Sequence, residues 1–114
     1  MTNQRPWGTY TVLHDPDDCK VKRISVLPGQ QLSYQYHHHR SEVWVFLSGI
    51  GKVILDGHEI DVSPGKIVQI PALSKHRIRN TGNKNLDLIE VQLGAYFGED
   101  DIVRLEDDYD RVQT

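Results

Sequence analysis

Short runs rich in Val, Ile, Leu and Tyr alternate along this chain with polar positions, and the period of the alternation is two. Lys22, Ile24 and Val26 stand against Arg23, Ser25 and Leu27, the spacing that places side chains on opposite faces of a strand. Turn signals recur at Pro28-Gly29, Ser48-Gly49, Asp56-Gly57, Pro64-Gly65, Pro71 and Asn80-Thr81-Gly82-Asn83. Strands are predicted between them, over 9–13, 21–27, 31–37, 43–48, 51–55, 58–62, 66–70, 76–80 and 85–93. No stretch before residue 99 holds a helical apolar period for three turns. The expectation is one all-β domain over 1–114, an antiparallel sandwich or barrel. Composition leaves residues 98–114 open between an acidic tail and a short helix or folded-back segment that docks Ile102, Leu105 and Tyr109.

The formal net charge of -3 is unevenly spread. Residues 99–114 carry seven acidic groups against Arg104 and Arg111, which leaves 11 basic and 9 acidic groups on residues 1–98. A mildly positive body without a Lys/Arg stripe excludes nucleic acid as the expected partner and suits a small anionic ligand. No apolar run approaches the roughly 20 residues of a membrane span. The first residues, Met1-Thr2-Asn3-Gln4-Arg5-Pro6, lack an apolar signal core, and Cys19 is the only cysteine. A cytoplasmic, reducing setting is expected.

Three of the six histidines stand together in Tyr36-His37-His38-His39-Arg40. Strand parity puts Ser33, Gln35 and His37 on one face, and Glu42, Trp44 and Phe46 on one face of the next strand. A hairpin would bring an amide, an imidazole and a carboxylate together. His76 opens a later strand, with Arg77 and Arg79 facing away from it; Glu90 and Gln92 share the polar face of a strand whose other face is Ile89, Val91 and Leu93. His14 and His58 lie beside turns and read as surface groups; Trp7 and Trp44 read as core or interface.

The spacing resembles the two motifs of the cupins. Gly29, five residues, Gln35-Tyr36-His37, four residues, Glu42, six residues and Gly49 follow the first, with Gln35 at its first histidine. Gly65, Pro71, His76 and Asn80 follow the second, with Leu73 at the usual glycine. Flanking segments are similar to the type II mannose-6-phosphate isomerase cupins, usually the C-terminal part of bifunctional mannose-1-phosphate guanylyltransferases. These are Arg5-Pro6-Trp7-Gly8, Val21-Lys22-Arg23-Ile24, His37-His38-His39-Arg40-Ser41-Glu42, Ile89-Glu90-Val91-Gln92 and Gly98-Glu99-Asp100-Asp101-Ile102-Val103-Arg104.

The resemblance implies a double-stranded β-helix (an antiparallel jelly-roll barrel) and one divalent ion, Zn, Mn, Co, Ni or Fe, held by Gln35, His37, Glu42 and His76. It implies interconversion of mannose 6-phosphate and fructose 6-phosphate, with Arg40 and Glu42 catalytic and His39, Arg40, Glu90 and Gln92 binding the sugar phosphate. The alternative is a non-catalytic or weakly active cupin that binds metal and sugar phosphate; an oxygenase is disfavoured, because the matching segments extend well beyond the metal motif. With 114 residues, no nucleotidyltransferase activity is expected. A homodimer is expected to share the edge around Trp7 and strand 9–13. Three positions depart from the branch: Val43 stands at a usual histidine, Asp110 at the glycine of a terminal Tyr-Gly-Arg, and Leu73 as above. Val43 predicts weak turnover that Val43→His would raise.

Overall fold

The computed structural model describes residues 2–16 and 18–108. Its strands are β1 (Thr2–Arg5), β2 (Gly8–His14), β3 (Cys19–Val26), β4 (Tyr34–His37), β5 (Arg40–Ser48), β6 (Gly51–Leu55), β7 (His58–Val62), β8 (Ile67–Ile70), β9 (His76–Asn80), β10 (Leu86–Gly94) and β11 (Ile102–Glu106). They form two antiparallel sheets, ordered β1-β2-β3-β10-β5-β8 and β11-β4-β9-β6-β7. This is the jelly roll that the period-two pattern and the motif spacing predict. Ile24, Val26, Trp44, Phe46, Val53, Ile78, Leu86 and Leu88 close the core between the sheets. Polar side chains of the same inward register gather on β4, β5, β9 and β10.

Both ends of the chain add strands that the hydrophobic pattern does not reveal. Thr2–Arg5 has no apolar alternation and is a strand because its backbone pairs with β2. Over its described residues the C-terminal segment folds back onto the barrel, the alternative that docks Ile102, and it does so as a strand. A 3-10 turn at Glu99–Asp101 leads into β11, which pairs with β4 so that Ile102 faces His37 and Arg104 faces Gln35. Tyr109 and Asp110 lie outside the described residues. Because β1 covers β2, strand 9–13 is internal, and Trp7 is buried in the core rather than presented at an edge.

The motif glycines hold turns in the left-handed region: Gly29 at φ 74°, Gly49 at 86° and Gly65 at 90°. Leu73 takes the same conformation, φ 69°, where a β-carbon is unfavourable. Its amide donates to His37 O (2.9 Å), so the turn before His76 is tied to the end of β4. The side chain is 58% exposed and loses little packing on removal. Leu73→Gly should therefore raise the urea midpoint, by about 0.5–1 kcal/mol after allowing for the greater freedom of glycine in the unfolded chain. An unchanged or lower midpoint would show that the leucine carries packing that offsets its strain.

Candidate functional site

Inward parity on four strands builds one polar cluster. β4 delivers Gln35 and His37, β5 delivers Arg40, Glu42 and Trp44, β9 delivers His76, and β10 delivers Glu90 and Gln92; all are buried. Cross-strand register aligns them, Gln35 with His76, Glu42 with Gln92, and Glu90 with Trp44. Glu42 is the hub. Its Oε2 accepts from Arg40 Nε (3.0 Å) and its Oε1 from Trp44 Nε1 (3.0 Å). His37 Nδ1 stands 3.7 Å and His76 Nε2 3.9 Å from the same carboxylate.

Burial, first, and the Arg40 guanidinium, second, hold the His37 imidazole down to about 2. Burial likewise lowers His76. Both rings are neutral at pH 7, so their approaches to Glu42 are not ion pairs. His76 Nδ1 donates to Ser74 O (2.8 Å), which turns the Nε2 lone pair toward the cluster. Arg40 Nη2 donates to His37 Nε2 at 2.7 Å, so that nitrogen is also an acceptor. Gln35 Nε2 donates to Ser33 Oγ (3.0 Å), which leaves the amide oxygen as its coordinating atom. One donor atom from each of His37, Glu42 and His76 lies within 4.8 Å of the others. Two neutral imidazoles, a carboxylate and an amide oxygen on buried strands are a donor set that fits a divalent ion.

The neutral imidazoles predict an acid sensitivity. In the unfolded chain each histidine takes up a proton near 6.5, whereas folded His37 does so only near 2. The unfolded state binds more protons in that window, so stability is full above 6.5 and falls as pH drops through it. Glu90 opposes this between 4.5 and about 7, where the folded state holds the extra proton. Two imidazoles outweigh one carboxyl. The urea midpoint of chelator-treated protein should fall from pH 6.5 to 4.5 and more steeply below; a flat midpoint would contradict neutral rings.

The remaining predicted residues separate. Arg40 is buried, and its Nη1 also donates to Phe97 O (3.4 Å). Glu90 lines the cavity above the cluster, a space of about 70 Å³. Burial and then the Glu42 charge raise its carboxyl to about 7. Gln92 is fully buried but outside the cavity lining; its amide donates to Glu90, and its Oε1 has no hydrogen-bond partner among the described residues. His39 does not reach the cavity, with a side chain 60% exposed. The His38 and His39 amides instead donate to the two oxygens of Asp101 (3.1 and 3.0 Å), which clamps the turn between His37 and Arg40. Gly94 permits the same turn to close: at φ 148°, a β-carbon there would lie 2.3 Å from His39 O.

Arg5, Lys22, Ser33 and Arg104 also line the cavity, and the sequence reading assigns none of them a role there. The parity of Lys22 with Ile24 and Val26 was the available signal; Arg5 and Arg104 sit on the two unpredicted strands. Val43 faces outward between Gln69 and Val91, so an imidazole there has no path to the cavity. Val43→His is accordingly expected to leave metal content and turnover within about threefold, and a large gain in turnover would show that the outer face matters.

The chain is similar to longer enzymes. It is 46% identical over 110 residues to the alginate biosynthesis protein AlgA of Pseudomonas putida, covering 96% of this chain and 23% of that protein. It is 46% identical over 108 residues to the mannose-1-phosphate guanylyltransferase of Escherichia coli K12, covering 95% and 23%. The chain thus spans less than a quarter of the length of the curated relatives it matches. A Klebsiella pneumoniae protein with a double-stranded β-helix domain shares the fold at 21% identity, with a TM-score of 0.75 over 84% of this chain and 82% of that one. The family described as mannose-6-phosphate isomerase C-terminal matches residues 1–107. That match spans β4, β5, β9 and β11, and the chain belongs to this family of cupin domains.

Proposed function

We propose that the chain is a metal-dependent sugar-phosphate isomerase that interconverts mannose 6-phosphate and fructose 6-phosphate, in the supply of GDP-mannose for polysaccharide synthesis. The observation that carries this reading is the buried His37, Glu42 and His76 cluster lining one cavity together with the carboxyl of Glu90. Gln35, His37, Glu42 and His76 would hold the ion, which supplies Lewis acidity toward a sugar carbonyl. Glu90 is the base. With its carboxyl near 7, it can take the C2 proton of the open-chain aldose and return it to C1. The hydroxyl proton passes between O2 and O1, and Arg40 steadies the negative charge of the enediolate. Gln92 positions Glu90 through its amide rather than touching the sugar. Glu42 is engaged by Arg40 and Trp44 and serves as ligand, not base.

A small anionic substrate is the proposed partner, with no nucleic acid or membrane. No helix among the described residues is long and apolar enough to cross a membrane. The proposed setting is the cytoplasm, and the proposed assembly is a homodimer paired along β1, an edge strand of the six-stranded sheet. A coupled assay for fructose 6-phosphate, run with each of the five metals and with chelator, tests the enzyme. Metal-dependent turnover is expected. Binding of mannose 6-phosphate without turnover under any metal would leave a sugar-phosphate-binding cupin instead.

A further inference from the structure

Five basic side chains line the cavity, Arg5, Lys22, Arg40, Arg77 and Arg104, against the two carboxylates Glu42 and Glu90. Arg40 and Arg77 are tied to groups of the site and of the backbone around it. Arg40 holds Glu42 and His37, and Arg77 donates to Leu32 O (2.9 Å) and Glu106 O (3.3 Å). Arg5 and Lys22 are arranged differently, around one aromatic ring. Arg5 Cζ lies 4.9 Å and Lys22 Nζ 4.5 Å from the centroid of Tyr10, and Arg5 Nη2 donates to Tyr10 Oη at 3.0 Å. The ring attracts both cations and holds two like charges side by side, which in water would separate. The three residues come from three consecutive strands of one sheet, β1, β2 and β3.

Lys22 is 5% exposed on an otherwise apolar register, a costly place for an ammonium. It is the cross-strand neighbour of Glu90, on the face that turns into the cavity. Lys22 and Trp44 flank Glu90 on β3 and β5, so Lys22 is two strand spacings, about 10 Å, from the strand that carries Glu42. An open-chain hexose phosphate reaches across such a gap, with its carbonyl end at Glu42 and its phosphate at Tyr10.

We infer that Arg5, Tyr10 and Lys22 form an anion seat that receives the phosphate of the substrate. The inference rests on the sugar-phosphate reading above. Lys22 supplies the inner, desolvated contact and Arg5 the outer, half-buried one, while Arg40 is left to the enediolate. The seat makes the site selective for a phosphorylated over a free sugar.

The test measures binding of inorganic phosphate, mannose and mannose 6-phosphate by calorimetry, with KM and kcat, in the unmodified metal-loaded chain and in Lys22→Met and Arg5→Gln. The unmodified chain should bind inorganic phosphate and prefer mannose 6-phosphate over mannose. Lys22→Met should weaken phosphate and mannose 6-phosphate binding about 10–100-fold and leave mannose binding unchanged. Arg5→Gln should act in the same direction, less strongly. If Lys22 serves only as counter-ion to Glu90, kcat and its pH profile change while phosphate binding does not, and the seat is wrong. Should Lys22→Met fail to fold, Arg5→Gln decides alone, because Arg5 is only half-buried and sits on an edge strand; unchanged phosphate binding there overturns the seat. Phosphate binding lost in the variants of a chain that shows no turnover would sink the isomerase reading and keep the seat. Turnover with KM unaltered in both variants would do the reverse.

Discussion

Glu42→Gln should abolish isomerase turnover and reduce bound metal to near zero at micromolar ion concentration. The carboxylate is the anionic member of the donor set, and three neutral donors remain without it. The same carboxylate is the buried partner of Arg40 through Oε2 and accepts from Trp44 through Oε1. A glutamine keeps one acceptor and turns an NH2 toward a donor that it cannot satisfy. The Arg40 guanidinium, 4% exposed, is then a buried cation without its counter-charge. Breaking a buried pair from one side costs about 3–5 kcal/mol, so the chelated variant should also show a much lower urea midpoint. Metal analysis, turnover and urea titration check the three parts. Stoichiometric metal with undiminished turnover in this variant would remove Glu42 from the site.

Glu90→Gln should lower kcat by about 10²–10⁴-fold with metal content unchanged. The substitution keeps the shape of the side chain and removes the group proposed to move the proton. Unmodified protein should gain activity as pH rises through the ionisation of Glu90, at or below about 7, and the variant should lose that limb. Its stability should move the other way. The carboxyl of the folded chain is raised from 4.5 to about 7, so the folded state holds a proton that the unfolded state has released. Stability contributed by Glu90 therefore falls as pH rises from 4.5 to 7 and stays low above it. At pH 8 Glu90→Gln should be at least as stable as the parent, a loss of function with a gain in stability. A variant that retains kcat, or that loses it only by unfolding, would sink the proton-transfer role.

The contrast between Gln35 and Lys22 marks where sequence reading stops. Gln35 was placed on the inward face because a motif counts residues along one hairpin, and parity along a strand is local. Lys22 obeyed the same parity with Ile24 and Val26, yet a lysine on an alternating strand is normally counted as solvated. Only the pairing of β3 with β10 turns its face inward beside Glu90. His39 shows the opposite error: continuing strand parity past His37 aims it inward, but the turn clamped by Asp101 leaves it exposed.

By itself, the order of residues determined the all-β class, the strand positions from 9 to 93 within a few residues, and the shared inward parity of Gln35 with His37 and of Glu42 with Trp44. Period-two alternation, turn chemistry and fixed spacings act over a few residues, so they are written along the chain. Tertiary structure alone decided that β1 and β11 are strands, since an edge strand is defined by the backbone it pairs with rather than by an apolar pattern of its own. It also decided that Asp101 locks the turn before Arg40, and that Arg5, Tyr10 and Lys22 meet. Those contacts join segments up to 60 or more residues apart, as Asp101 and His38 are. Their energies come from burial and charge in a space that exists only once the two sheets have closed.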